Sequence, residues 1–434
     1  MPSKNKTCEQ MPCALLWDES FLWGLMAWRA LTQAGVPFDL VRSEDIRMGK
    51  LSGYAMIFVP GGWAKAKVHA LGKKGQTEIR RFVENGGSYL GICGGAGLAT
   101  DSHLGLLPVY RTPNADRVPS FSGPISLTLS DHPVWENIET PVFHAWWPPQ
   151  LHTEGIDDFH ILARYGDAHP DAVSADIRVE DGRKSGWPAL EKKYGIFLDP
   201  ERLKDKPAVV EGTYGRGKVI LSLVHFDTPG DPGGRLALQN LWRYLIKNAD
   251  ENLQLISPSR SNSFYACDEH SLTPVLNDIL TAVDHLIACG ERHLLWRRRN
   301  ALLLQWRRGI RGMEYSTLVS MTGEIGTRLG GKQPDNVHLT NSGSLPGPVQ
   351  LKRNLECIRE LLLPFAENAA ELLRLEQIML ADTSATHKTC QNEKINRLRQ
   401  DLFGSARHFG GRFKPLIDAI DRLLYQLLRP IQVG

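Results

Sequence analysis

Short apolar runs alternate with helical patterns through the first 92 residues, and this alternation constrains the fold more than any other feature. CALLW (13–17), FDLVR (38–42), YAMIFVP (54–60) and SYLGI (88–92) read as strands. SFLWGLMAWRALTQAG (20–35) reads as a helix with Ser20 as N-cap and Gly35 as its stop. KKGQTEIRRFVENGG (73–87) reads as an amphipathic helix that ends on two glycines. Strands alternating with helices specify an α/β fold, a parallel sheet with helices on both faces. Continuous apolar strands are the kind that such a sheet buries on both sides.

From about Phe121 the pattern turns toward antiparallel β. GPISLTL (123–129) is a strand, and AVVEGTYGRGKVILSLV (208–224) is a hairpin turning at Gly215-Arg216-Gly217. LALQNLWRYLIKNA (236–249) closes this part as a helix. ENLQLISPSRSNS (251–263) has the polar, Ser- and Pro-rich character of a linker. Beyond it, 273–308, 351–382 and 392–429 carry apolar residues at helical spacing, with a loop over 330–348. The expected organisation is therefore an α/β domain over 1–250, a linker over 251–263 and an all-α helical domain over 264–434.

Composition narrows the function classes. A net charge of +3 over 434 residues is too small to argue for nucleic acid or an anionic membrane as partner. The basic start lacks the apolar stretch of a signal peptide, and no later run reads as long enough to span a bilayer, so the expectation is a cytoplasmic protein. The seven cysteines form no CxxC pair and are odd in number, which argues against a disulfide framework or a cysteine zinc site. No metal or cofactor is expected.

Cys93 ends the fourth apolar run and opens a glycine-rich helix start, GICGGAG (91–97). This is the strand–nucleophile–helix turn of a G-x-S-x-G elbow with sulfur in place of oxygen. The bland alternative is a small buried thiol. The helix start directs free N–H groups at the sulfur and favours the thiolate. Backbone N–H groups of Gly94 and of Gly62 or Trp63, in VPGGWA (59–64), are the candidate oxyanion donors, each contributing about 3 kcal/mol in comparable sites. Among fourteen histidines, His225 follows a buried strand, with Asp227 two residues on. Alternate residues of an extended chain face the same way, so Asp227 can orient the ring and leave its other nitrogen for Cys93.

Other residues carry two readings each. Asp18 and Glu19 end the first strand and either meet a cationic group or cap a helix. FHAWWPPQLH (143–152), with His144 and Trp146, either lines the space over Cys93 or is a packed loop. The arginine-rich WRRRNALLLQWRRGIRG (296–312) reads as the solvated face of a helix rather than a phosphate site.

PGG (60–62), GICGG (91–95) and HFD (225–227) occur in an order that resembles the class I glutamine amidotransferase-like superfamily. FSGPISLTLSDHPVWENI (121–138) and VEGTYGRGKVILSLVHFD (210–227) bring residues 13–248 closest to the amidotransferase-like domain at the N-terminus of biotin–protein ligases. The resemblance implies a flavodoxin-like sheet and a Cys-His-acid triad. The sequence departs from that pattern in three places. Gly97 stands where the glutaminases carry a substrate-holding glutamine. Asp227 stands where they carry glutamate. No adenylate loop rich in glycine and arginine and no KWPN-type stretch follows residue 250, so biotin ligation is not expected.

Two functions follow from these residues. One is a Cys93–His225–Asp227 site that attacks an amide or related carbonyl of a small molecule. The other is a non-catalytic binding or regulatory module on the same fold. The helical domain is expected to associate, with itself or with a protein partner.

Overall fold

A computed structural model describes residues 11–113, 115–153, 158–246, 269–330, 347–381, 392–404 and 408–429. The linker read over 251–263 lies outside the described residues, as does nearly all of the loop read over 330–348. The chain divides into two compact units, Met1–Pro258 and Ser259–Gly434.

The first unit opens with β1 (Met11–Leu16), α1 (Leu22–Ala34), β2 (Asp39–Val41), α2 (Ser43–Arg47), β3 (Tyr54–Val59), α3 (Ala64–Glu84), β4 (Ser88–Ile92) and α4 (Gly94–Ala99). It continues with β5 (Tyr110–Arg111), β6 (Phe121–Leu129), β7 (Val142–Trp146), β8 (Leu151–His152), β9 (Phe159–Ala168), β10 (Val173–Ser174) and β11 (Ile177–Arg178). It ends with α5 (Val179–Ser185), α6 (Trp187–Tyr194), β12 (Pro207–Tyr214), β13 (Gly217–Ser222) and α7 (Pro232–Leu245).

One sheet runs β11-β10-β6-β9-β12-β13-β4-β3-β1-β2, with β7 paired to β6. From β2 to β13 every pairing is parallel, and from β13 outward every pairing is antiparallel. The parallel half is the sheet that the β/α alternation predicts, and it is flavodoxin-like, as the resemblance implies. Leu15, Phe58, Leu90 and Ile220 are in register across four of its strands, and all are fully buried. Each such side chain contributes roughly 1.5–3 kcal/mol through removal from water. The hairpin β12–β13 turns at Gly215-Arg216, where Gly215 has φ 58°. Gly35 ends α1 in the left-handed conformation.

Ser20 is not the N-cap of α1. Phe21 holds that position, and the buried Ser20 hydroxyl donates to the Leu16 carbonyl while Lys67 Nζ donates to it. The hydroxyl is thus engaged away from the helix start.

The second unit comprises α8 (Glu269–Arg292), β14 (Trp296–Arg298), β15 (Leu304–Trp306), α9 (Gly312–Gly330), α10 (Pro348–Ala381), α11 (Glu393–Phe403) and α12 (Phe413–Leu428). The arginine-rich segment read as helix is a hairpin, so this unit is not all-α. Asn300 Oδ1 accepts from the Leu302 and Leu303 amides at 2.8 Å each and makes the turn. Trp296 pairs with Trp306 across the strands and packs on Tyr315, ring centroids 4.7 Å apart. The helix read over 392–429 is broken in two, with Gly404 at φ 64° and Gly411 at φ 53°.

Within α8, Leu272–Arg292 is long and apolar enough to cross a membrane by length and composition, which corrects the reading that no run is. Its Leu276, Ile279, Val283, Leu286 and Ile287 are buried against neighbouring helices, as in the core helix of a helical bundle.

Candidate functional site

Parallel strands deliver their C-terminal ends to one sheet edge, where open α/β sheets bind ligands. Here β1 leads to Asp18 and Glu19, β3 to Gly61-Gly62, β4 to Cys93 and β13 to His225. Cys93 has φ 52° and ψ −103°, a backbone state that costs a non-glycine residue about 1–3 kcal/mol. Its amide donates to the Ser222 carbonyl at 2.8 Å, which ties the elbow to the end of β13. The neighbouring glycines are required by contact. A Cβ on Gly95 would lie 1.9 Å from the Val59 oxygen, and one on Gly91 would lie 2.7 Å from the Gly95 carbonyl.

The Gly62 loop lies directly against this turn. A Cβ on Gly94 would fall 1.9 Å from the Gly62 oxygen, and Gly62 itself has φ 112°, with the Glu19 carbonyl on its other side. Trp63 is extended and starts α3. The buried Lys67 hydrogen-bonds the Ser20 hydroxyl and, at 3.4 Å, the Asp18 carbonyl, joining the loops after β1 and β3.

His225 Nδ1 donates to Asp227 Oδ1 at 2.8 Å, and both side chains are fully buried. The shorter acid therefore reaches the ring. Burial alone would push the His225 pKa down. The Asp227 carboxylate and the Cys93 sulfur outweigh it and raise the pKa to about 9. Nε2 makes no protein hydrogen bond of ordinary geometry, yet the sulfur is near enough to act on the ring electrostatically. The Cys93 thiol itself points to the Trp146 carbonyl at 3.8 Å.

The segment around β7 holds the histidine. The His225 amide donates to the His144 carbonyl at 2.7 Å. His144 stacks on Trp146 at 5.3 Å, and its Nδ1 lies 3.3 Å from Asp231 Oδ2. Trp146 Nε1 donates to Thr228 Oγ1, which donates to the His225 carbonyl, both at 2.9 Å. The structure thus gathers Cys93, His225, Asp227, Gly62, Gly94 and Trp146. The Asp18 side chain is used elsewhere: it accepts from the Ser43 amide at 2.7 Å, at the start of α2, and lies 3.8 Å from Arg42 Nε. Glu19 contributes its backbone, held at φ 56°.

Sequence reasoning missed Trp23, whose ring packs 4.9 Å from that of His225. It also missed Arg111, Arg117 and Tyr165, which lie within the field of the Cys93 sulfur. Trp23 on α1, Arg111 on β5, Arg117 in the loop after it and Tyr165 on β9 are far apart in the chain, and no local motif links them to Cys93. Among the described residues no group of three or more His, Cys, Asp or Glu side chains is disposed to hold a metal ion.

Residues 51–103 match the family described as biotin-protein ligase, N terminal. No curated protein matches the chain. Solved structures with similarity include a protein from Thermoplasma acidophilum described as a component of GMP synthase. It is 15% identical with a TM-score of 0.35, over 54% of this chain and 94% of that one. A ThuA-like protein from Bacteroides uniformis is 15% identical with a TM-score of 0.35, over 57% and 96%. A β-galactosidase from Bacillus circulans is 13% identical with a TM-score of 0.32, over 54% of this chain and 30% of its own. The similarity to the biotin-protein ligase N-terminal family thus falls on residues 51–103, the stretch that carries β3, the Gly62 loop, β4 and the Cys93 elbow.

Proposed function

We propose that the first unit is an amidotransferase-like enzyme domain whose Cys93 attacks an amide or related carbonyl carbon of a small molecule. The observation that carries this reading is the strained Cys93 backbone beside a fully buried His225–Asp227 pair. Strain of this kind persists where surrounding structure holds it for a purpose. In this reading the Cys93 sulfur bonds to the carbonyl carbon as the imidazolium of His225 supplies a proton to the leaving group. Asp227 fixes the ring through Nδ1. Backbone N–H groups of Gly94 and of Gly62 or Trp63 stabilise the oxyanion. His144 and Trp146 border the substrate, and Glu19 does so through its backbone.

The amidotransferase-like domain covers 1–250 in this proposal, followed by the linker at 251–263 and a helical domain at 264–434 that associates with itself or with a protein partner. The protein acts in the cytoplasm, without nucleic acid or membrane. Gly97 favours a second reading. At the position of the glutaminases' substrate-holding glutamine, a Cβ would meet only Ala64, at 3.6 Å, so this chain presents no side chain there. A binding module on the same site follows if the cysteine does not react.

Alkylation of the native protein across pH, resolved by mass spectrometry at each cysteine, tests this. Cys93 is expected to react at lower pH than the exposed Cys357 and to lose that advantage in His225→Gln. Reaction at the same pH as Cys357 would overturn the nucleophile.

A further inference from the structure

Arg111, exposed on β5, and Arg117, half-buried in the following loop, have no carboxylate partner among the described residues. Arg111 lies on β5, which pairs with β8 so that Arg111 faces Leu151 in register. Arg117 Nη1 donates to the Pro149 carbonyl at 3.3 Å. Between them the Thr112 amide donates to the Gln150 carbonyl at 3.0 Å, and Gln150 exchanges side-chain hydrogen bonds with the Val118 backbone at 2.9 and 3.2 Å. Residues 110–113 and 115–118 are thereby clamped to residues 149–152. That stretch follows directly on Trp146, whose carbonyl the Cys93 thiol meets.

Three further features tie these arginines to the Cys93 site. Their charges interact with each other and with the Cys93 sulfur. Burial, then the neighbouring Arg111 charge, lowers the Arg117 pKa to about 10, so the two cations are held together at a cost. Arg117 Nε is buried with no hydrogen-bond partner, and so is the hydroxyl of Tyr165. The Tyr165 side chain is fully buried on β9, and its hydroxyl too lies within the field of the sulfur. A buried donor without a partner, on one of two neighbouring cations that have no carboxylate partner among the described residues, fits a ligand that brings its own acceptors.

We propose that Arg111 and Arg117 bind an anionic group of the molecule that occupies the Cys93 site, a carboxylate or a phosphate. This deepens the nucleophile reading and rests on it only for the identity of the reacting atom. The arginines are specificity-determining residues: the planar fork of each suits a two-oxygen anion.

The test compares iodoacetate with iodoacetamide on the native protein at fixed ionic strength, with Cys357 as internal reference. The two reagents transfer similar groups to sulfur and release iodide, but only iodoacetate is an anion. The iodoacetate-to-iodoacetamide rate ratio is expected to be at least about tenfold higher at Cys93 than at Cys357, to fall several-fold in Arg111→Gln, and to recover in part in Arg111→Lys, which keeps the charge and loses the fork. Arg111 has the smaller structural role, and unchanged melting temperatures establish that its variants fold. Equal ratios at the two cysteines would overturn the anion site while leaving the nucleophile standing. Should Cys93 resist both reagents, the nucleophile reading fails, and inorganic phosphate decides the anion site alone. A melting-temperature rise with phosphate or with glutarate that Arg111→Gln abolishes supports it, and no rise with either overturns it. Phosphate and glutarate compared as protectants of Cys93 distinguish the two anion chemistries.

Discussion

A Cβ on Gly94 would lie 1.9 Å from the carbonyl oxygen of Gly62, so the elbow and the loop after β3 approach as closely as two backbones can. Gly94→Ala must push this loop away. Overpacking of this kind costs about 1–3 kcal/mol. Denaturant unfolding is expected to show that loss, and Cys93 alkylation to slow. Gly97→Ala, three residues on, meets only Ala64 at 3.6 Å inside a helix. It is expected to keep or raise stability by up to about 1 kcal/mol. Equal losses in the two variants would show that the contact is not what demands glycine.

The His225–Asp227 pair predicts a pH dependence of stability. The folded His225 pKa of about 9 exceeds the ordinary value near 6.5, because the Asp227 carboxylate and the Cys93 sulfur overcome the effect of burial. A raised pKa means that the folded state binds the proton more tightly. The resulting stability, up to about 3 kcal/mol, is complete below pH 6.5 and is lost as pH rises through 9. Melting curves of the wild type should fall over that window, and those of His225→Gln should fall less. Parallel curves would contradict the assignment.

Asp227→Asn keeps the size of the side chain and removes its charge. The ring then loses the carboxylate that raises its pKa, and burial lowers it. Histidine titration followed by NMR should show His225 moving to a lower pKa. The Cys93 alkylation rate near neutral pH should drop by about tenfold or more, because the thiolate loses its imidazolium partner.

A separate prediction concerns the helical unit. Glu376 on α10 is buried, and Arg399 Nε on α11 donates to it at 2.7 Å. Burial pushes the Glu376 pKa up to about 7, against the pull of Arg399. This raised pKa stabilises the fold below the ordinary carboxyl range near 4.5, and the contribution is lost as pH rises through 7. Glu376→Gln should therefore gain relative to wild type above pH 7. Arg399→Met, which strands the carboxyl, should cost about 3–5 kcal/mol at pH 8 by chemical denaturation.

The parallel half of the sheet, the elbow at Cys93 and the HFD segment are all legible in the sequence, because each is written locally. Apolar runs mark strands buried on both faces, glycines at minus two and plus two mark a tight turn, and i, i+2 spacing puts His225 and Asp227 on one side. The tertiary structure alone decided what depends on residues far apart in the chain. Asp18 is taken up by Ser43, and Ser20 by Lys67. An arginine-rich segment with helical composition became a hairpin because Trp296 meets Trp306 and packs on Tyr315. Arg111 and Arg117 are tied to the stretch after Trp146 only because β5 pairs with β8 and a glutamine clamps their loop. Periodicity reports which face of an element is buried. It carries no information about which distant side chain arrives there, and that pairing is set by packing across the whole domain.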